Sequence, residues 1–377
     1  MTKPTWERAA IYAQHGDPKE VLKVYDFELG PLPEEKILVE NFVAPINPSD
    51  VLAISGDYPI QKEKVEFRVK SDSAEGGVEK IVGIVGGNEA IGRVIEVGSK
   101  VGSITQQNIE VGDWVMFMGS STMGAWVTRA YLSPNEVVVL KNTHGLSPTQ
   151  IASIKVNAST AYRMLLDVVN LNKGDYIIQN GANSGVGQLV IQFAKRWGYR
   201  TVNVVRDRQN FEQLESFLKG LGADIIVKES ELETPETTSL LENKPIRLAL
   251  DCVCGPQAMK MIKHLKPEGV VANYGLMSGL PLEVSAPIFI FKDITVKGYW
   301  VSKWYKANPP SKWLEMWNDI MSMMEKGEIK EQATTPISWI SGSDSSEQQL
   351  GIQEVQHAVT STFSSGRKEI FIFTNKY

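Results

Sequence analysis

The chain changes texture once along its length. Up to about residue 145, apolar residues come in short runs divided by Gly and Pro, as in Lys36–Val43 (KILVENFV), Gly92–Val97 (GRVIEV) and Gly112–Phe117 (GDWVMF). Such runs predict the short strands of a partly open barrel or sandwich. The polar stretch Gln61–Lys80 reads as a surface excursion. From Ser147 the spacing turns helical, with Ser147 as N-cap, Pro148 at the first helical position and apolar residues recurring to Val169. Beyond that, strands and helices alternate. Tyr176–Gln179, Thr201–Val205, Asp224–Val227, Leu248–Val253 and Val270–Tyr274 read as strands; Gly187–Trp197, Phe211–Leu221 and Pro256–Leu265 read as helices. This order predicts βαβ units and a parallel sheet with helices on both faces, an α/β fold. A last section begins at Thr295 with strand-like TVKGYWV, continues through a helix at Ser311–Glu325 and ends in strand-like EIFIFT.

Composition narrows the classes. A length of 377 residues accommodates two cores, and 42% hydrophobic with 22% charged residues is ordinary for a globular chain. The net charge of −5 argues against a nucleic-acid scaffold, although a local basic patch is compatible with it. No run approaches the roughly 18 apolar residues of a membrane-spanning helix. The opening MTKPTWERAAIY has the features of neither a signal peptide nor a transit peptide. Cys252 and Cys254 stand too close for an ordinary disulfide and read as buried fillers on one face of a strand. With His15, His144, His264 and His357 as the only histidines, the ligands for a catalytic zinc or a four-thiolate lobe are missing, so no metal is expected.

One segment carries chemistry on its own. In YIIQNGANSGVGQLVIQFAKRWG an apolar strand runs into a glycine-rich turn that opens an amphipathic helix. A pyrophosphate needs backbone N–H groups and a helix N-terminus without an obstructing side chain, and Gly181, Gly185 and Gly187 provide that. The turn departs from G-x-G-x-x-G: counted back from Gly187, the earlier glycine positions hold Ala182 and Ser184. The next strand ends in Arg206-Asp207-Arg208, where NAD-binding folds usually carry a lone carboxylate for the ribose hydroxyl. Guanidinium groups bind a 2′-phosphate through paired charge-assisted hydrogen bonds, so the expected cofactor is NADPH.

With NPSD (Asn47–Asp50), GNEAIGRVIEVG (Gly87–Gly98), VGDWV (Val111–Val115) and the NGANSGVG loop, the chain resembles the medium-chain dehydrogenase/reductase superfamily over nearly its whole length. The zinc alcohol dehydrogenases have His where this chain has Asn88, so the similarity is to the zinc-free branch. NPSDVLAISGDYP, KVNASTAYRML, NVVRDRQNF, YGLMSG and VKGYWVSKW resemble mitochondrial enoyl-thioester (trans-2-enoyl-CoA/acyl-carrier-protein) reductases. The resemblance implies a GroES-like β-rich catalytic domain at 1–150, a Rossmann-type NADPH-binding domain at 151–294 and a return to the catalytic domain at 295–377.

The same resemblance implies Tyr58 as the catalytic residue. A tyrosine between Gly56 and Pro59 would, read alone, more often be structural. Cofactor contacts carry over to Asn157 near the nicotinamide, to Asn183, Ser184, Gly185 and Val186 in the phosphate loop, and to Arg206, Asp207 and Arg208 at the 2′-phosphate. They carry over also to Tyr274, Gly275, Leu276 and Met277, to Tyr299, Trp300 and Val301, and to Lys368. Leu276 departs from the family's Gly-Gly-Met. The implied reaction delivers hydride to the β carbon and a proton to the α carbon of an enoyl thioester carried on acyl-carrier protein or CoA. A mitochondrial matrix setting and a homodimer are implied too. An NADPH quinone reductase and a non-catalytic NADPH-binding interaction protein are the competing readings.

Overall fold

The computed structural model describes residues 5–59, 62–71, 77–118, 123–143, 145–341, 351–362 and 368–375. His144 and Gln61 lie outside them. The chain forms two units, Met1–Ser153 with Ala333–Tyr377, and Ile154–Gln332.

In the first unit the short apolar runs become strands. A closed four-stranded barrel joins Thr5–Tyr12, Leu22–Leu29, Val65–Lys70 and Val78–Val85. A seven-stranded sheet is built around Ile37–Pro45, which pairs antiparallel with Ile91–Val97, Arg129–Leu132 and the returning strand Lys368–Asn375. The strand Lys368–Asn375 also runs parallel to Thr334–Ser341. Their side chains meet in one core, where Trp126 and Trp339 are fully buried and both meet Phe371 edge-on. The expectation of a surface excursion over Gln61–Lys80 is corrected here. Val65–Lys70 alternates in period two, burying Phe67 and Val69 while Glu66 and Arg68 face water. Its charges are the solvent face of a barrel strand.

In the second unit six parallel strands line up in the order Ile225–Lys228, Arg200–Val205, Tyr176–Gln179, Ile246–Asp251, Val270–Asn273, Thr295–Gly298. This is the doubly wound order of a dinucleotide-binding fold, and the direction of winding reverses between Tyr176–Gln179 and Ile246–Asp251. The return to the first unit, expected at 295, comes at 333. Thr295–Gly298 adds an edge strand to the parallel sheet, and helices Val301–Ala307 and Pro310–Glu325 stay with that unit.

Two further expectations shift. The helix foreseen across Ser147–Val169 is broken into Pro148–Ile151, a π-helical turn at Ile154–Ala158, and Ser159–Asp167. Ser159 Oγ donates to the Ile154 carbonyl five residues back (2.7 Å), which matches the wider turn. The strand foreseen through Val253 ends at Asp251, and Cys254 adopts φ 66° at the start of helix Gly255–Ile262. Both cysteines are buried free thiols, and burial pushes the Cys252 thiol up to about 12.

Candidate active site and cofactor site

Tyr58 sits at the end of helix Pro48–Ser55 in the first unit. The helix closes on Gly56 at φ 93°, where a side chain would also meet the His15 ring at 3.2 Å. The Leu52 carbonyl then accepts from the N–H groups of Gly56, Asp57 and Tyr58 at 3.1, 2.9 and 3.0 Å. Three backbone bonds to one oxygen fix the turn and leave the Tyr58 side chain half-buried. The backbone position of Tyr58 is therefore set by the turn.

The other end of this helix is held by a buried polar cluster. The Asp50 carboxylate accepts from the Asn47 backbone N–H (2.7 Å) and from Asn88 Nδ2 (2.6 Å). Lys368 Nζ donates to Asn47 Oδ1. Asn47, Asp50 and Glu89 are each at most 1% exposed. Burial pulls the Lys368 amine down to about 8, against the opposing pull of Glu89 and Asp50. Burial likewise lowers Lys62 to about 8, and its amine donates to the Gly87 carbonyl (2.7 Å). Gly86 and Gly87 allow that loop to lie on Trp126, since a side chain on either would run into the indole at 2.4–2.5 Å. Asn88, where zinc dehydrogenases have a histidine ligand, is thus engaged as a donor to a carboxylate.

The cofactor candidates cluster in the second unit. Ser184 caps helix Gly185–Trp197, its Oγ accepting from Gly187 N (3.1 Å). The Asn183 carbonyl accepts from Gln188 Nε2 (2.8 Å). A side chain at Gly187 would stand 2.6 Å from the Gly181 and Ala182 carbonyls, so the helix packs onto the loop only because this residue is glycine. Gly181, at φ 56°, approaches Cys252 Sγ in the same manner. Gly185 and Val186 begin a thirteen-residue helix whose first-turn N–H groups and positive dipole end favour an anion. The cradle fits a pyrophosphate.

The crevice at the reversal of strand order is tied by Asp251, which is fully buried. Its Oδ1 accepts from Asn180 Nδ2 (2.6 Å) and from the N–H groups of Val253 and Cys254 (both 3.0 Å), while Oδ2 accepts from Asn273 Nδ2 (2.9 Å). One carboxylate thus joins the ends of three adjacent strands. The segment after Val270–Asn273 is fixed to the same place: Tyr274 N donates to Asp251 O (2.8 Å) and Met277 N to Cys252 O (2.9 Å). Gly275 packs against Cys252, and Leu276 is 52% exposed. Burial holds the Tyr274 phenol far above its ordinary pKa. Tyr299 N donates to Asn273 O (2.7 Å), burial raises its phenol too, Trp300 caps the helix that follows, and Val301 is buried.

Arg206 and Asp207 are exposed and Arg208 half-buried beyond strand Arg200–Val205. Asp207 accepts from Ser230 Oγ (2.5 Å) and Ser230 N (3.2 Å), which lowers its pKa and anchors the turn. Burial and the charge of Arg206 push the Arg208 guanidinium down. Two cations that repel each other at a strand end suit a dianionic ligand. Asn157 lies in the π-turn, and its Oδ1 is 2.9 Å from where a Cβ on Gly185 would be. Asn157 therefore belongs with the phosphate loop, whereas Lys368 lies with Tyr58's helix in the other unit. The sequence reading missed Asp50, Glu89, Lys62, Asp251 and Gln332. Asp50 had a signal, the N-cap and third-position pairing in N-P-S-D; Asp251 had none beyond an acid closing an apolar strand.

Comparison with known proteins matches the fold and gives the family. The family model described as zinc-binding dehydrogenase matches residues 185–321, all in the second unit and away from Asn88. Mitochondrial enoyl-[acyl-carrier-protein] reductase of Rattus norvegicus is 36% identical over 338 residues, covering 89% of this chain and 84% of that protein. The enzyme of the same description from Caenorhabditis elegans is 37% identical, covering 86% of each. The structure described as the Etr1p/NADP/crotonyl-CoA complex superposes with a TM-score of 0.83 at 29% identity, covering 98% of this chain and 100% of that one. Escherichia coli quinone oxidoreductase complexed with NADPH, at 21% identity and a TM-score of 0.70, shares the fold. The chain belongs to the mitochondrial enoyl-[acyl-carrier-protein] reductase family of the medium-chain dehydrogenase/reductase superfamily.

Proposed function

We propose that the chain reduces trans-2-enoyl thioesters to saturated acyl thioesters with NADPH, in the mitochondrial matrix, on substrates carried by acyl-carrier protein or CoA. One observation carries this reading: a tyrosine on a turn fixed by three backbone bonds occurs in the same chain as a dinucleotide fold whose second strand ends in two guanidinium groups. When bound, NADPH supplies a hydride for the β carbon. The remaining work belongs to side chains. Negative charge gathers on the thioester oxygen as the β carbon is reduced, and Tyr58 donates a hydrogen bond to it or delivers the proton to the α carbon. Asp50, Asn88 and Lys368 hold the helix that presents Tyr58. The Gly185–Val186 helix start takes the pyrophosphate, and Arg206 and Arg208 take the 2′-phosphate, with Asp207 anchoring their turn.

The test is NADPH consumption, followed by absorbance, with short- to long-chain trans-2-enoyl thioesters and with quinones. Turnover of enoyl thioesters well above quinones is expected, with NADH a poor substitute for NADPH. Faster turnover of quinones, or NADPH binding with no turnover of any enoyl thioester, would overturn the proposal.

A homodimer through the second unit is part of the same proposal. Thr295–Gly298 is an edge strand, and the preceding helix Ala286–Lys292 leaves Ile290 71% and Phe291 81% exposed. An open edge beside exposed apolar side chains is a surface that association would cover. The heterodimeric Etr1p/Etr2p reductase of Candida tropicalis has a TM-score of 0.82 to this chain. The double variant Ile290→Asp, Phe291→Asp is expected to run as a monomer in light scattering where the parent runs as a dimer. A monomeric parent would refute this association.

A further inference from the structure

Gln332 ends the second unit in a setting that its place in the sequence does not foretell. The segment leading to it is clamped to the phosphate-loop helix: Gln192 Oε1 accepts from Lys330 N (2.7 Å), and Gln192 Nε2 donates to Lys330 O (3.2 Å). This clamp delivers the Gln332 side chain to the start of that helix. A Cβ added at Gly185 would stand 2.0 Å from Gln332 Oε1, nearer than the Asn157 amide on the same side. Gln332 is only 6% exposed, and its Oε1 has no hydrogen-bond partner among the described residues. A buried acceptor left unmatched costs stability, and such atoms in native proteins call for a missing partner.

The missing partner is a donor beside the pyrophosphate cradle. A pyrophosphate has no proton to give, but the ribose hydroxyls that flank it do. The adenosine ribose goes with the 2′-phosphate that Arg206 and Arg208 suit beyond the neighbouring strand, whereas Gln332 Oε1 lies beside Gly185 and Asn157. We propose that Gln332 is a further cofactor-binding residue, its side-chain oxygen accepting from a hydroxyl of the nicotinamide ribose beside Asn157. This rests on the NADPH reading of the second unit.

The experiment compares Gln332→Leu with the parent by titration calorimetry, using NADPH and adenosine 2′,5′-bisphosphate, which lacks the nicotinamide ribose. One neutral hydrogen bond lost should raise the Kd for NADPH roughly five- to tenfold and leave that for the bisphosphate unchanged. The ligand-free variant should melt no lower than the parent, since the unmatched acceptor is gone. Equal NADPH affinity in variant and parent would overturn the proposal, and so would equal losses for both probes. If Gln332→Leu folds poorly, Gln332→Met has similar length without the acceptor, and the same outcomes decide. A parent protein that binds neither probe would instead sink the NADPH reading.

Discussion

Replacing Tyr58 by Phe should lower kcat by about a hundredfold or more, the usual loss when one donor to a developing oxyanion is removed. The structure makes this a clean substitution. The turn is held by three backbone bonds to the Leu52 carbonyl and by the left-handed Gly56, none of which involves the hydroxyl. Phe keeps the ring and loses only the donor. The cofactor loops lie in a separate unit, so the Kd for NADPH should stay within twofold or so of the parent value. Stopped-flow turnover with crotonyl-CoA, alongside fluorescence titration of NADPH, reads both quantities. An unchanged kcat would remove Tyr58 from the chemistry. A kcat loss matched by an equal loss of NADPH binding would point to misfolding instead.

How much of this was legible in the sequence depends on the range of the interaction that fixes each feature. The second unit was readable almost strand by strand, because buried parallel strands are continuous apolar runs and their helices carry a 3.6-residue period. Phe211–Leu221 and Tyr176–Gln179 fall on the expected residues. The barrel strand Val65–Lys70 was lost because its outward charges outweigh two buried residues by count. The break at Ile154–Ala158 was lost because it depends on Ser159, Tyr305 and Trp317, which meet only in the fold: the Tyr305 hydroxyl lies 2.8 Å from Ser159 Oγ, and Trp317 Nε1 donates to that oxygen (3.1 Å). The return to the first unit was misplaced because TVKGYWV reads as a strand but does not say to which sheet it adds.

The candidate site divides in the same way. The phosphate loop is a local motif, and its glycines could be assigned before any contact was known. Asp251 and Gln332 are distant in sequence from the groups they meet, Asn180 and Gly185, so spacing carries no trace of them. Tyr58 is intermediate. Gly56 and Pro59 mark a turn, yet only the resemblance singled out the tyrosine, and the structure adds what holds it in place.

Removing both guanidinium groups, as Arg206→Gln with Arg208→Gln, should raise KM for NADPH by about a hundredfold, corresponding to two charge-assisted hydrogen bonds of about 1.5 kcal/mol each. The magnitude follows from what surrounds them. Arg206 is exposed, which weakens its contribution, but Arg208 is half-buried, and each cation raises the cost of the other in the absence of an anion. A bound 2′-phosphate relieves that repulsion, and glutamines, which keep hydrogen-bonding capacity, do not reproduce the charge. Glu229 lies close enough to feel both cations, and burial raises its pKa against their influence. With both arginines gone only Lys260 still offsets this acid's charge, so the loss should grow as pH rises through its raised pKa. NADH has no 2′-phosphate, and its KM should move less than threefold or so, which separates loss of charge from loss of fold. Because the phosphate is remote from the reacting carbon, kcat at saturating NADPH should be nearly unchanged. If KM rises equally for both cofactors, the pair serves the loop's structure and the assignment of NADPH to these arginines fails.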